Sequence, residues 1–205
     1  MTKNLEVVTF FDFDGTLMNS PLPETGKDIY QQVKGKPYPH IGWWSKPESL
    51  DMDIFDIRPK SGMEEVYRNV MKNPEAHAVL LTNRQYKLGD EVKKVLDSHN
   101  MTFEHYSYKH NDHEKGDRML EIMKKYYPGV KNIVFYDDDD SHFNLIKNKP
   151  EMFKDYNIKL YHVNGDYIQK HLDNAEMVLA GKDYNLKTVK ISSDLDYLDQ
   201  SDKIK

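Results

Sequence analysis

Two carboxylates one residue apart, Asp12 and Asp14, close the short apolar run Val7-Val8-Thr9-Phe10-Phe11, and Gly15 and Thr16 follow at once. Carboxylates that close repel, and a divalent cation between them is the usual remedy. A second apolar run, Ala78 to Leu81, stops at Thr82-Asn83-Arg84, which adds a hydroxyl and a cation. A third, Asn132 to Tyr136, stops at four consecutive acids, Asp137 to Asp140. Together these are the groups needed to hold a phosphate with Mg²⁺, a cation that prefers oxygen ligands, keeps several waters and is shared with substrate phosphate. The acids alone would repel a phosphate, so this chemistry requires the metal.

For those groups to meet, the three runs must be neighbouring parallel strands whose C-terminal ends open on one crevice. Each run is short and rich in β-branched or aromatic residues, which reads as a buried strand rather than a helix. A buried strand cannot hold an unpaired acid, so the carboxylates emerge at its end. Alternation starts Asp12 and Asp14 on the same side, and Gly15 lets the chain turn after them.

Helical spacing separates the runs: Met63, Val66, Tyr67, Val70 and Met71; Leu88, Val92, Val95 and Leu96; Met119, Leu120, Met123, Tyr126 and Tyr127. A short helix carries Phe143 and Ile146, and further strands are expected at 103–108 and 157–163. Strands alternating with amphipathic helices predict an α/β fold with a doubly wound parallel sheet. Past Asp166 the pattern weakens to a helix near 168–179 and an edge strand using Leu186, Val189 and Ile191, with frayed last residues.

Between the first strand and the first long helix, residues 19–58 hold many Pro and Gly breakers but also Tyr30, Tyr38, Trp43, Trp44 and Phe55. This reads as an ordered flap beside the crevice, with a short helix near 26–33. Trp43 and Trp44 either anchor the flap or present a ring to a base or sugar. The expected organisation is one domain, 1–165, carrying the 19–58 insert, followed by a partly ordered extension, 166–205.

The 205 residues include no Cys, which excludes a thiolate nucleophile, disulfides and Cys-based zinc. No apolar run is long enough to span a bilayer, so no membrane partner and a cytoplasmic setting are expected. A net charge of −5 argues against extended binding to duplex DNA, though not against gripping one terminal phosphate. His99, His105, His110 and His113 lack ligand spacing and read as surface histidines. Neither Gly26-Lys27 nor Gly35-Lys36 has a P-loop frame, so no kinase half is expected.

Asp12-Phe13-Asp14-Gly15-Thr16 resembles the first motif, DxDGT, of the haloacid dehalogenase (HAD) superfamily. Thr82 stands at its second motif, Lys115 at its third and Asp137-Asp138 at its fourth; Lys109 competes with Lys115 but lies farther from the expected helix start. The resemblance implies a HAD-like fold and phosphoryl transfer in two steps. Asp12 would be the nucleophile, Asp14 the acid and base, and Thr82 and Lys115 would hold the transferring oxygens. Mg²⁺ would be bound by Asp138 with Asp12 and the backbone carbonyl of Asp14, with Asp137 as a further ligand. Asp139 and Asp140 would start the next helix. An acid at Asp14 favours a phosphatase over a dehalogenase.

In finer detail, Asn19-Ser20-Pro21-Leu22-Pro23, Gly42-Trp43-Trp44, Leu80-Leu81-Thr82-Asn83-Arg84, Tyr136-Asp137-Asp138 and His142 resemble the HAD domain of Swiss Army Knife RNA-repair proteins. The phosphatase half of polynucleotide kinase-phosphatases is similar. This implies a phosphorylated nucleic-acid end as substrate, with a nucleotide as the alternative. Thr16, Asn83, Arg84, Trp43 and Trp44 would be the substrate-binding residues. Asp139 stands where that pattern has an Arg after the paired acids. A catalytically silent binding module is the reading from another class; the retained motif residues speak against it.

Overall fold

The computed structural model describes residues 4–110, 113–164, 167–171 and 187–190. Among the described residues seven strands form one sheet in the order β3-β2-β1-β4-β5-β6-β7. The first five are β1 (Val7–Phe11), β2 (Ala76–Gln85), β3 (His105–Lys109), β4 (Asn132–Asp137) and β5 (Asn157–Asn164), and they are parallel. The fold is α/β with helices on both faces of the sheet, as the pattern predicts. Strand order reverses between β1 and β4, and that switch point is where an open α/β sheet forms its crevice.

Alternation along each strand assigns the two faces. Phe11, Ala78 and Leu80 pack with α2 (Ser61–Lys72), α3 (Gly89–Ser98) and the insert. Val8, Phe10, Val79 and Leu81 pack with α4 (Lys115–Tyr126) and α5 (Asn144–Asn148). Both faces are covered, so the central strands read as unbroken apolar runs. Burial of each such Phe or Leu stabilises the fold by about 1.5–3 kcal/mol.

The insert leaves and returns at one point. Asn19 N–H donates to the Arg58 carbonyl at 2.8 Å and Lys60 N–H to that of Leu17 at 2.9 Å. Within it, α1 (Pro23–Lys34) starts with Pro in its first turn and stops at Gly35, whose φ of 66° is the left-handed conformation a side chain resists. Trp43 is 3 % exposed and packs with Phe55 and Tyr38. A Cβ on Gly26 would sit 2.1 Å from Trp43 Cζ2, so only glycine lets α1 lie on that ring.

Two expectations change. β2 runs four residues farther than its apolar core, to Gln85, so Thr82-Asn83-Arg84 lie within the strand. The helix expected near 168–179 is a strand where it is described. There β6 (Tyr167–His171) pairs antiparallel with β5, whose edge would otherwise leave backbone groups unpaired. Residues 172–179 lie outside the described residues. The expected edge strand is β7 (Lys187–Lys190), which includes Val189; Leu186 and Ile191 lie outside the described residues.

Candidate active site

The ends of β1, β2 and β4 bring most of the anticipated residues together. Asp12 follows β1 with its backbone N–H bonded to the Tyr136 carbonyl of β4 at 3.0 Å. Its carboxylate is 7 % exposed and meets Lys115 Nζ at 2.6 Å. Lys115 opens α4, is fully buried, and also bonds Asp137 Oδ2 at 2.6 Å. Lys109 lies exposed at the end of β3.

Burial raises the Asp12 pKa well above the usual carboxylate range, and Asp137, Asp138 and Asp14 push it further, while Lys115 opposes. Burial would lower Lys115, but Asp12 and Asp137 outweigh it and the net shift is upward. Asp137 is lowered: burial works against this, and Lys115 and His142 overcome it.

Asp14 turns the other way. Alternation starts it on the side of Asp12, but β1 ends at Phe11 and Gly15 turns at φ 70°. Its carboxylate is held by Arg84 on the insert side, through Nε to Oδ2 and Nη2 to Oδ1, both at 2.8 Å. Arg84 is 2 % exposed. Its Nη1 donates to the Trp44 carbonyl at 2.9 Å and to Ser49 Oγ. The guanidinium is therefore occupied by Asp14 and the insert, which changes the expectation that it binds substrate directly. Thr82 is 1 % exposed, and its Oγ1 accepts from Arg84 N–H at 3.0 Å, which leaves its own proton to donate.

Asn83 alternates to the α4 side. Its Oδ1 accepts from Arg118 Nη2 at 2.7 Å, so its NH₂ is the group 2.8 Å from His142 Nε2. That nitrogen must accept, which puts the ring proton on Nδ1, 2.9 Å from Asp137 Oδ1. A hydrogen-bonded chain thus runs from Arg118 through Asn83 and His142 to Asp137.

Asp138 sits on the rim and accepts from Thr16 Oγ1 at 3.1 Å. Burial and Asp137 raise its pKa. A Cβ on Gly15 would lie 2.1 Å from Asp138 Oδ2, so that oxygen fits only against glycine. Among the described residues one acidic group can hold a metal: Asp12, Asp137 and Asp138, with ligand atoms within 4.8 Å of one another. Lys115 is the one cation bonded to them, which leaves surplus negative charge, and the donors are all oxygen. Both properties suit Mg²⁺. The Asp14 side chain stands outside this group, held by Arg84. Asp139 caps the short 3-10 helix 140–143 by accepting from Ser141 N–H at 3.0 Å, the helix-start role expected of it.

The two tryptophans part company. Trp43, expected to bind substrate, is buried, and its Nε1 donates to the Pro21 carbonyl at 2.9 Å. No ring face is left for a base, and it anchors the insert. Trp44 is 38 % exposed, with the Arg84 guanidinium 5.0 Å from its ring centroid. The four histidines form no metal group: His99 bonds the Ile57 carbonyl, His105 stacks on Tyr126, His110 bonds the Tyr108 carbonyl and His113 pairs with Glu121.

Arg118, Ser49 and His162 were not anticipated. Arg118 is 1 % exposed and braces the Thr82 carbonyl at 2.9 Å; burial lowers its pKa to about 10. His162 Nε2 lies 2.8 Å from the Asp138 carbonyl. The available signal for Arg118 was its place three residues after Lys115, on the same face of α4.

Residues 20–202 match the family described as HAD domain family 1 in Swiss Army Knife RNA repair proteins. The chain belongs to this family. The matched stretch begins after Asp12–Thr16, so the first-motif residues lie just before it. Among solved structures, the HAD domain of the effector protein Lem4 from Legionella pneumophila, an inactive mutant, is 12% identical with a TM-score of 0.49, covering 78% of this chain and 86% of that one. A HAD-superfamily hydrolase, subfamily IA, variant 1, from Geobacter sulfurreducens is 14% identical with a TM-score of 0.44, covering 77% and 89%. No curated protein matches the sequence. HAD domains are generally hydrolases that use Mg²⁺ and act on phosphorylated substrates. Among the described residues of this one, no helix is long and apolar enough to cross a membrane.

Proposed function

We propose that this HAD domain is a Mg²⁺-dependent phosphomonoesterase that removes terminal phosphate from nucleic-acid ends. The observation that carries the reading is the placement of Asp12 at the switch point, 2.6 Å from Lys115 and grouped with Asp137 and Asp138. Asp12 attacks phosphorus and the ester oxygen departs with a proton from Asp14, leaving an aspartyl-phosphate. Asp14 then takes a proton from the water that releases phosphate. The Thr82 hydroxyl and the Lys115 ammonium hold the phosphoryl oxygens as charge develops on them. Asp12, Asp138 and the Asp14 carbonyl would hold Mg²⁺, backed by Asp137. When bound, it supplies positive charge opposite the phosphoryl oxygens.

A nucleic-acid end is supported by the family description and by the exposed Trp44 ring beside Arg84. A nucleotidase is the second reading, favoured by Asp139, an acid at a place where a strand would need a cation. The test is Mg²⁺-dependent phosphate release from 3′-phosphorylated and 5′-phosphorylated oligonucleotides and from mononucleotides, beside Asp12→Asn. Preference for an oligonucleotide end, lost in the variant, is expected. Better turnover of mononucleotides selects the second reading, and silence on all of them with the fold intact removes both.

A further inference from the structure

Strand β3 is one edge of the sheet, and beside it α4 walls a cleft of about 560 Å³, a volume that suits a bound ligand. Its lining is aromatic. His105 stacks on Tyr126 with centroids 4.1 Å apart, and Tyr86 meets Tyr108 edge to face at 6.1 Å. Tyr86 is 77 % exposed and Tyr126 47 %. Lys125 lies 5.0 Å from the Tyr126 centroid. The acid of the lining, Glu121, is paired with His113.

Arg118 joins this cleft to the active site. It lines the cleft, yet its Nη groups hold the Thr82 carbonyl and the Asn83 side chain. Its Nε donor is buried and has no partner among the described residues. Arg118 is therefore shared between the wall of the cleft and the strand end that carries Thr82 and Asn83.

We propose that this cleft receives the nucleosides of a single strand whose terminal phosphate lies at Asp12, a proposal that rests on the nucleic-acid-end reading above. Exposed rings, Tyr86 above all, stack on any base, and Lys125 matches a backbone phosphate. An extended peptide added to the β3 edge fits less well, because it needs free backbone carbonyls. A side chain already lies against one carbonyl of this strand: His110 Nδ1 is 3.1 Å from that of Tyr108.

The test compares the full chain with Tyr86→Ala and Tyr126→Ala, using a short 3′-phosphorylated oligonucleotide and p-nitrophenyl phosphate, an ester with no strand. Each variant is expected to raise KM for the oligonucleotide by about tenfold, the scale of one lost base–aromatic stack, and to leave p-nitrophenyl phosphate turnover unchanged. An oligonucleotide KM that does not move overturns the cleft and leaves the nucleic-acid-end reading standing. Turnover of p-nitrophenyl phosphate without turnover of any oligonucleotide overturns both. Anisotropy of a labelled oligonucleotide on Asp12→Asn, with and without each tyrosine change, decides the matter without turnover: equal binding overturns the proposal. Slowed amide exchange along β3 with an extended peptide, but not with the oligonucleotide, makes the edge a peptide-docking site and also overturns it.

Discussion

Lys115 and Arg84 each bury a positive charge beside an acid of the first motif, yet they tie that acid to different parts of the molecule. Lys115 bridges Asp12 and Asp137, so all three groups hang on β1, β4 and the start of α4. Arg84 bridges Asp14 to the Trp44 carbonyl and Ser49, so its far side rests on the insert. Lysine suits the first place because a compact ammonium can sit between two carboxylates. Arginine suits the second because a planar fork grips one carboxylate and still reaches a second layer. Asp12 is thus set by the sheet, and the orientation of the Asp14 carboxylate is set by where the insert lies.

The largest effect tests the sheet side of that contrast. Asp12→Asn is expected to cut phosphate release by about 10³-fold or more, measured as single-turnover phosphate production. Removal of Mg²⁺ by chelation should abolish turnover in the parent and restore it on re-addition. Next, Lys115→Met strands Asp12 and Asp137 without their cation. Urea unfolding should show a loss of about 3–5 kcal/mol without metal, and added Mg²⁺ should recover part of it.

On the insert side, Arg84→Lys keeps the charge and loses the fork. We expect kcat to fall by roughly 10–100-fold with a stability loss of about 1–2 kcal/mol. If stability falls as far as in Lys115→Met, the contrast between the two cations is gone. The smallest effect belongs to Ser49→Ala, with about 1 kcal/mol of stability and a few-fold drop in kcat. An unchanged kcat there would make the insert contact a structural brace only.

The sheet and the meeting of residues at its strand ends were legible because parallel strands covered on both faces leave long apolar runs, and the residues ending those runs stand out. Asp12, Thr82, Lys115 and Asp137 come from that signal together with the family motif. The insert-side geometry was not legible. Trp43 and Trp44 are adjacent, and nothing in their order says that one anchors and the other faces out. Arg84 looked like a phosphate ligand because its partner Ser49 lies in a segment with no periodicity. Arg118 hid among the polar residues of α4, since the helical pattern marks apolar positions and a buried arginine breaks it. β6 was missed because Tyr167-Ile168-Gln169-Lys170-His171 holds no sustained apolar run, and its pairing with the β5 edge is not written in its own sequence.

Gly15 carries a consequence for how this sequence can drift. Two independent pressures hold it: a backbone at φ 70° and the Asp138 carboxylate that a methyl group would strike. The first survives any loss of chemistry, because the turn after β1 remains. The second vanishes with Asp138. A descendant that abandons the acid at 138 loses one of the two barriers at 15 and keeps the other, so the glycine should outlast Asp138.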